Sequence, residues 1–535
     1  MQGLHQDHPL LISGILEHAA ANHADVSLLS HSGGEVVRTT YANAAARARQ
    51  LASALHSEGL RPDGFTGSLA WNTHRHLELF YAVTGIGAVL HTANPRLAPA
   101  QIIYTINFTG YRTLFIDADT VALAEQIAPS LTTVDRYVIM AAREHMPATS
   151  LPNVVCYEDL LASGATDFSW LKLDERTAST LCFTSGTTGD PKGALYTHRG
   201  CVLSALSSGG GNGWALSADD GILALPGFFH CNGWAVPFLA PMYGTRLVMP
   251  GRNMDTAFLH KLITEENTTV GPAVPTIWLQ MLEYCQANNL RLGNMNRLFT
   301  GGTAPPAVMI DAYMRDYDVR TFHAWGMTET THLSTASFIP RNLPRDAQIE
   351  KMRSQGKPVF GNEIRVADDA GNTVPPDGQT PGHLQVRGHW IAGAYFRRPD
   401  INLMTEDGWM VTGDVAVMDA DNTMHIVDRA KDVIKSGGEW ISSQALEEAA
   451  NRHAQVRESA VIAMDHPRWQ ERPMMIAVAD GAITAADLRA HLAPLVPKWW
   501  LPDSIAFVAE LPHGPTGKIQ KDVLRRWLAD GTIRP

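Results

Sequence analysis

The spacing of hydrophobic and polar residues changes period several times along the chain, and each change predicts a different element. "YANAAARARQLASALHSEGL" (41–60) sets Ala and Leu at helical spacing among Arg residues, which predicts a helix stopped at Gly59. From 254 onward the pattern alternates: "MDTAFLHKLITEEN" reads as a helix, "TTVGPAV" as a strand and "PTIWLQMLEYCQANN" as a helix. "NRLFT" is then a strand, "GGTAPP" a turn, "AVMIDAYMRDY" a helix and "VRTFHAW" a strand. Strand, helix and strand at this spacing predict βαβ units in a mostly parallel sheet. Between 365 and 388 the runs shorten and turn residues multiply, the pattern of an antiparallel hairpin region. A small α+β unit of about a hundred residues, a common domain size, then closes the chain.

These elements predict an α/β plus α+β fold. A large N-terminal domain (1–429) carries parallel-rich sheets with helices and a β-barrel-like subdomain. A small C-terminal α+β domain (430–535) follows, with the boundary near Arg429. Length agrees, because 535 residues exceed what one core supports. A net charge of -11 argues against a nucleic-acid partner and leaves room for local basic pockets. The 5 cysteines are odd in number and lack C-x-x-C spacing, which predicts reduced thiols with neither a disulfide framework nor a zinc site. "YAVTGIGAVL" (81–90) is too short to span a bilayer, and the N-terminus lacks the basic stretch of a signal peptide. The expected location is the cytoplasm.

Chemistry concentrates in "LCFTSGTTGDPKG" (181–193). Hydroxyls on Thr184, Ser185, Thr187 and Thr188 can donate hydrogen bonds, and Gly186 and Gly189 let backbone N–H groups turn toward a ligand. Pro191 limits the turn and Lys192 adds a mobile positive charge. Phosphate is the natural guest. The glycine-to-lysine spacing is not that of G-x-x-x-x-G-K-[ST], and "GALYTH" reads as another strand, so the loop joins two strands.

"TSGTTGDPKG" closely resembles the signature of the adenylate-forming superfamily, which includes acyl-CoA synthetases, firefly luciferase and peptide-synthetase adenylation domains. Further matches follow in family order over nearly the whole chain. "HAWGMTET" (323–330) resembles the aromatic-Gly-x-Thr-Glu motif, with Trp325 where the family usually has Tyr. Trp325 offers a face for stacking a purine, worth about 1–3 kcal/mol. Gly326 permits close approach, Thr328 can donate to a phosphate, and Glu329 is a hard oxygen ligand suited to Mg²⁺ together with Thr184. His323, Ala324 and Met327 complete that nucleotide stretch.

The resemblance implies that Gly302, Thr303 and Ala304 line the adenine and acyl sites, with Gly301 beside them. It implies that Asp414 accepts both ribose hydroxyls, assisted by Arg429 near Val427, and that Lys431 is the hinge of a mobile C-terminal domain. Lys435, Gly437, Gly438, Glu439 and Trp440 would border the pantetheine arm of CoA. Lys518, in "PTGK", would bridge the acyl carboxylate and the α-phosphate.

"PGFFHCNGWAVP" (226–237) bears on the acid. His230 and Trp234 stand four apart, on one face if the segment is helical, among small and apolar neighbours that suit a pocket wall. With "IKSGGEWISS" this stretch is similar to bacterial medium- and long-chain fatty-acyl-CoA synthetases and 3-methylmercaptopropionate-CoA ligases. Thr331-His332 stand where relatives carry Ser-Pro, a departure that bears on acid preference. Cys231 beside His230 is not a nucleophile dyad, since sequence neighbours rarely face each other. His74 and His76 lack a third metal ligand and read as structural.

What the resemblance implies is an ATP-dependent acid–CoA ligase using ATP, Mg²⁺ and coenzyme A on a medium-chain fatty or small hydrophobic acid, with a homodimer as the expected assembly. An adenylation enzyme loading a carrier protein, and a non-catalytic nucleotide-binding protein, remain the alternatives.

Overall fold

The computed structural model describes residues 3–184, 190–337, 342–437, 439–514 and 519–534. The chain divides into two compact units, one built from 3–184, 190–363 and 387–404, the other from 364–386 and 405–534. Arg429, the expected boundary, lies inside the second unit.

The first unit holds two sheets. In one, Val154–Cys156, Arg136–Met140, Thr113–Asp117, Phe65–Leu69, Val89–Ala93 and Ala178–Phe183 run parallel, and Gly193–Thr197 closes the edge antiparallel to Ala178–Phe183. The other orders nine strands: Lys357–Pro358, Thr335–Ala336, Arg320–Trp325, Arg297–Thr300, Val270–Ala273, Gly221–Leu223, Arg246–Met249, Ser27–Ser32 and Glu35–Thr40. Its middle is parallel and its last strand at each end is antiparallel to its neighbour. The three strands read from 268–325 are present, and the first two are each followed by a helix: Pro275–Ala287 after Val270–Ala273, and Ala307–Asp316 after Arg297–Thr300.

Helix Tyr41–Ser57 starts where the Thr40 hydroxyl accepts the Asn43 N–H, and Gly59 follows its end at φ 99°. Helix His74–Gly85, capped in the same way by Thr73, is buried along its whole length. One core joins Phe80 and Val83 of that helix to Leu90 and Phe115 of the seven-stranded sheet and to Ile222, Val270 and Phe299 of the nine-stranded one. Parallel strands covered on both faces require such continuous apolar runs. The phosphate loop and "HAWGMTET" are thereby carried on strand ends of rigid sheets.

The second unit holds two further sheets. One orders Asn362–Ala367, Gly382–Gly388, Met410–Met418 and Met424–Arg429. The other orders Glu439–Ile441, Ile434–Ser436, Gln470–Ala479 and Val456–His466, with Ser504–Phe507 also on Gln470–Ala479. Helices Ser443–Ala450 and Ala485–Leu492 cover its core of Ile434, Leu446, Val461 and Met475. All five cysteines are free and buried. Among the described residues no helix is long and apolar enough to cross a membrane.

Candidate active site

Strands Ala178–Phe183 and Gly193–Thr197 form an antiparallel pair, so the phosphate loop does connect two strands. The Thr184 N–H donates to the Lys192 carbonyl at 2.9 Å, and the Lys192 N–H donates to Thr184 Oγ1 at 3.1 Å. That leaves the Thr184 hydroxyl proton to donate elsewhere. Ser185, Gly186, Thr187, Thr188 and Gly189 lie outside the described residues. Lys192 Nζ stands 5.4 Å from the centre of the Tyr395 ring, a cation–π placement.

Tyr395 also reaches the second motif, where its hydroxyl donates to Glu329 Oε1. Thr328 and Glu329 sit in the single 3₁₀ turn Thr328–Thr330, directly after strand Arg320–Trp325. The Tyr196 hydroxyl donates to the Thr328 carbonyl at 2.6 Å, and the Ala392 N–H to the Glu329 carbonyl at 2.7 Å. Burial, reinforced by the Glu329 charge, pushes both tyrosine hydroxyls up. They therefore stay protonated donors at neutral pH. The Glu329 carboxylate, 4% exposed, is oriented on its Oε1 side.

Trp325 is 8% exposed at the end of its strand. A Cβ on Gly326 would lie 1.7 Å from the His332 carbonyl oxygen, so what needs the glycine there is the returning chain. The His323 ring is buried and donates from Nδ1 to the Arg353 carbonyl at 2.7 Å; burial pushes it down to about 4. Ala324 and Met327 are half-buried beside it. Thr331 Oγ1 donates to the Trp390 carbonyl at 2.7 Å, while the His332 ring contacts the hydroxyls of Ser204 (3.2 Å) and Ser208 (3.3 Å) on helix His198–Gly209. Thr331 and His332 thus fasten this motif to the Trp390 backbone and to helix His198–Gly209. Gly302, Thr303 and Ala304 are exposed between strand Arg297–Thr300 and helix Ala307–Asp316, with Gly302 at φ 85°.

The stretch after His230 is not a right-handed helix. Cys231, Asn232, Gly233, Trp234 and Ala235 have φ of 40°, 38°, 61°, 54° and 58°, one left-handed turn. The four-residue spacing therefore does not place His230 and Trp234 on a common helical face. Left-handed backbone costs about 1–2 kcal/mol for each residue with a Cβ, and such strain persists where its surroundings over-determine it. The Trp234 indole lies on Gly301, where a Cβ would meet Cη2 at 3.2 Å. The Cys231 thiol is 3.4 Å from Thr328 Oγ1, which brings this segment against the Thr-Glu motif. His230 caps the turn: its carbonyl accepts the Gly233 N–H at 2.9 Å.

In the second unit, Asp414 and Arg429 face each other in register on neighbouring strands, with Arg429 Nε 2.9 Å from Asp414 Oδ1. Asp414 is buried and Arg429 exposed. The Ser442 hydroxyl donates to the Val427 carbonyl at 2.6 Å. Lys431 Nζ is 3.4 Å from Asp522. Lys435 stands opposite Trp440 in a hairpin, its Nζ 5.3 Å from the ring centre, and the Glu439 side chain is exposed. Gly437, at φ 61°, donates its N–H to the Trp469 carbonyl at 2.8 Å. Gly438 and Lys518 lie outside the described residues. Next to the expected hinge, Asp428 accepts from the N–H and hydroxyl of Ser443, both at 2.6 Å. Lys521 Nζ bridges Ser443 (2.6 Å) and Glu447 (2.7 Å), whose carboxyl burial pushes up to about 7.

The profile described as "AMP-binding enzyme" matches residues 16–396, and that of the "AMP-binding enzyme C-terminal domain" matches 445–518. The chain belongs to the AMP-binding enzyme family. Its relatives include a 3-methylmercaptopropionyl-CoA ligase of Ruegeria pomeroyi, 43% identical over 528 residues with 98% of each chain covered. A medium-chain-fatty-acid–CoA ligase of Ectopseudomonas oleovorans is 40% identical over 540 residues, covering 100% of this chain and 99% of that one. An anthranilate CoA ligase solved with anthranoyl-AMP shares the fold, with a TM-score of 0.84 at 24% identity over 98% of this chain and 99% of that one.

In this AMP-binding enzyme, reading by motif passed over four supporting residues. Tyr196 and Tyr395 lie outside every motif, and their contacts join residues 132 and 66 positions apart. Asn232 did leave a signal, as an amide among the apolar residues of 226–237, whereas Asn72, followed by Thr73, His74 and Arg75, left none. Asn72 accepts the Phe228 N–H at 2.7 Å and donates to the carbonyls of Ala224 and Pro226, both at 2.8 Å. His76, set aside as a metal ligand, is buried with its ring on Ser68 Oγ and the Trp71 carbonyl, both at 2.9 Å.

Proposed function

We propose that this chain is an ATP-dependent carboxylic acid–CoA ligase that works through an acyl-adenylate. The observation that carries the reading is the link through Tyr395, whose ring faces the Lys192 ammonium and whose hydroxyl holds Glu329. A phosphate-binding cation and a metal-binding carboxylate are thereby fixed to one rigid group.

Mg²⁺ fits these residues. Among the described residues there is no cluster of three or more His, Cys, Asp or Glu able to hold a metal. Nucleotide-bound Mg²⁺ takes one or two carboxylates plus substrate phosphates, so the single oriented Glu329 with the Thr184 hydroxyl suits it. When bound, the ion neutralises charge on the transferring phosphoryl group.

A carboxylate is a poor acyl donor because its charge repels nucleophiles. Its oxygen attacks the α-phosphorus of ATP, the α–β bridging bond breaks, and pyrophosphate leaves. Lys192, Thr184 and Thr328 supply donors around the phosphates, and Lys518 balances the acyl carboxylate. Asp414, with Arg429, accepts the ribose hydroxyls. The CoA thiolate then attacks the acyl carbonyl and AMP leaves with the bonding electrons. No protein nucleophile is required. The acid is medium-chain or small and hydrophobic, in keeping with the Trp234 indole resting on Gly301. Rotation at Lys431 exchanges the groups needed in the two steps.

Pyrophosphate release from purified protein, ATP, Mg²⁺ and a panel of acids from acetate to palmitate, with and without CoA, tests the reading. Thioester formed with CoA supports it. An adenylate that CoA does not consume points to carrier loading, and no pyrophosphate with any acid refutes ligation.

A further inference from the structure

The left-handed turn at 231–235 needs an anchor, and the structure supplies one at Asn232. This side chain is 2% exposed. Its Oδ1 accepts from Thr180 Oγ1 at 2.6 Å, and its Nδ2 donates to Thr92 Oγ1 at 3.3 Å. Thr180 and Thr92 lie on adjacent parallel strands, Ala178–Phe183 and Val89–Ala93, and are themselves buried. Asn232 is also, with glycine, among the residue types that accept left-handed backbone most readily. A second tie lies alongside it, where the Cys231 N–H donates to Cys182 Sγ at 3.1 Å on the same strand. The entry to the turn is fixed separately, by Asn72 on the backbone of 224–228.

The exit of the turn carries Trp234, whose indole edge is in van der Waals reach of Gly301. The left-handed turn allows little slack between the two, because Cys231, Trp234 and Ala235 are held in a region of backbone space unfavourable to them. Where the indole stands over Gly301 is therefore decided by what pins Asn232 to the sheet.

We propose that Asn232 is a positioning residue that sets the depth of the acyl pocket, by latching the left-handed turn to Thr180 and Thr92 and so holding the Trp234 indole over Gly301. The proposal rests on the ligase reading. It assigns no chemistry to Asn232; the amide selects among acids by their length. With the latch gone, the turn relaxes toward ordinary backbone and the indole leaves Gly301, so longer chains gain room while shorter ones lose their wall.

The test uses full-length enzyme and measures kcat and KM for linear acids from butyrate to decanoate, at saturating ATP, Mg²⁺ and CoA. Asn232→Gly keeps the left-handed backbone permissible and removes only the amide, whereas Thr180→Val removes the partner and leaves the turn's own sequence intact. For both, the KM of the best wild-type acid rises about tenfold or more, the preferred chain length shifts upward, and the KM for ATP stays within about twofold. An unchanged length profile in a folded variant overturns the proposal and leaves ligation standing. Should Asn232→Gly not fold, Thr180→Val decides. A wild-type enzyme that releases no pyrophosphate with any acid overturns the ligase reading and this proposal with it.

Discussion

Tyr395 donates its phenolic hydrogen to Glu329 while its ring faces the ammonium of Lys192. Two motifs separated by more than a hundred residues of sequence are thus held by one side chain outside both. The hydroxyl is kept protonated by burial and by the carboxylate it serves, so the orientation of Glu329 does not change through the neutral range.

Removing that hydroxyl while keeping the ring isolates its effect. A hydrogen bond to a charged group contributes about 1.5–3 kcal/mol, so Tyr395→Phe is expected to slow adenylate formation about tenfold or more and to raise the Mg²⁺ concentration needed. Thermal unfolding followed by circular dichroism should shift little. A variant with wild-type Mg²⁺ dependence would remove Tyr395 from the account.

In the proposed mechanism Lys518 acts in the first half-reaction alone. Lys518→Ala is expected to lose pyrophosphate release and to keep conversion of a supplied acyl-adenylate to thioester. Both rates are read by chromatography of the CoA product. Equal loss of both would refute exchange of groups about Lys431.

The first unit should be acid-sensitive. Burial pushes His91 down to about 3 and His76, His198, His323 and His332 each to about 4. These rings are neutral when folded and take up protons on unfolding below their ordinary value of 6.5. Stability is therefore intact above that value and is lost as pH falls toward about 4. Asp117, which burial pushes up to about 7, and Glu78, which burial also pushes up, work in the opposite sense, but these histidines, joined by His31 and His74, outnumber the two carboxyls. His91→Gln removes one such proton, so the slope of unfolding free energy against pH should lessen by about 1.4 kcal/mol per unit in urea titrations. An unchanged slope would show that His91 is not held neutral.

What the sequence made legible follows from the range of the forces involved. Helix Tyr41–Ser57 and strands Arg297–Thr300 and Arg320–Trp325 could be read because their periodicity and caps are local. The phosphate loop could be placed between two strands because the residues after it, "GALYTH", have the character of a strand. The turn at 231–235 could not, since its left-handed backbone is imposed by Thr180 and Thr92, far off in sequence. Gly326 illustrates the same limit: the motif suggested room for a ligand, and the structure shows the His332 carbonyl in that direction. Tyr395 gave no local sign because its partners are two motifs it adjoins only in space.

The central claim, acyl transfer through an adenylate, is tested most directly by the fate of the carboxylate oxygens. The enzyme is incubated with ATP, Mg²⁺, CoA and hexanoate labelled with oxygen-18 in both carboxyl positions, and the AMP is weighed by mass spectrometry. The mechanism predicts AMP carrying one heavy oxygen and a thioester keeping the other, because the attacking oxygen stays on phosphorus when CoA displaces it. Thioester accompanied by unlabelled AMP, or by ADP and orthophosphate, would contradict it.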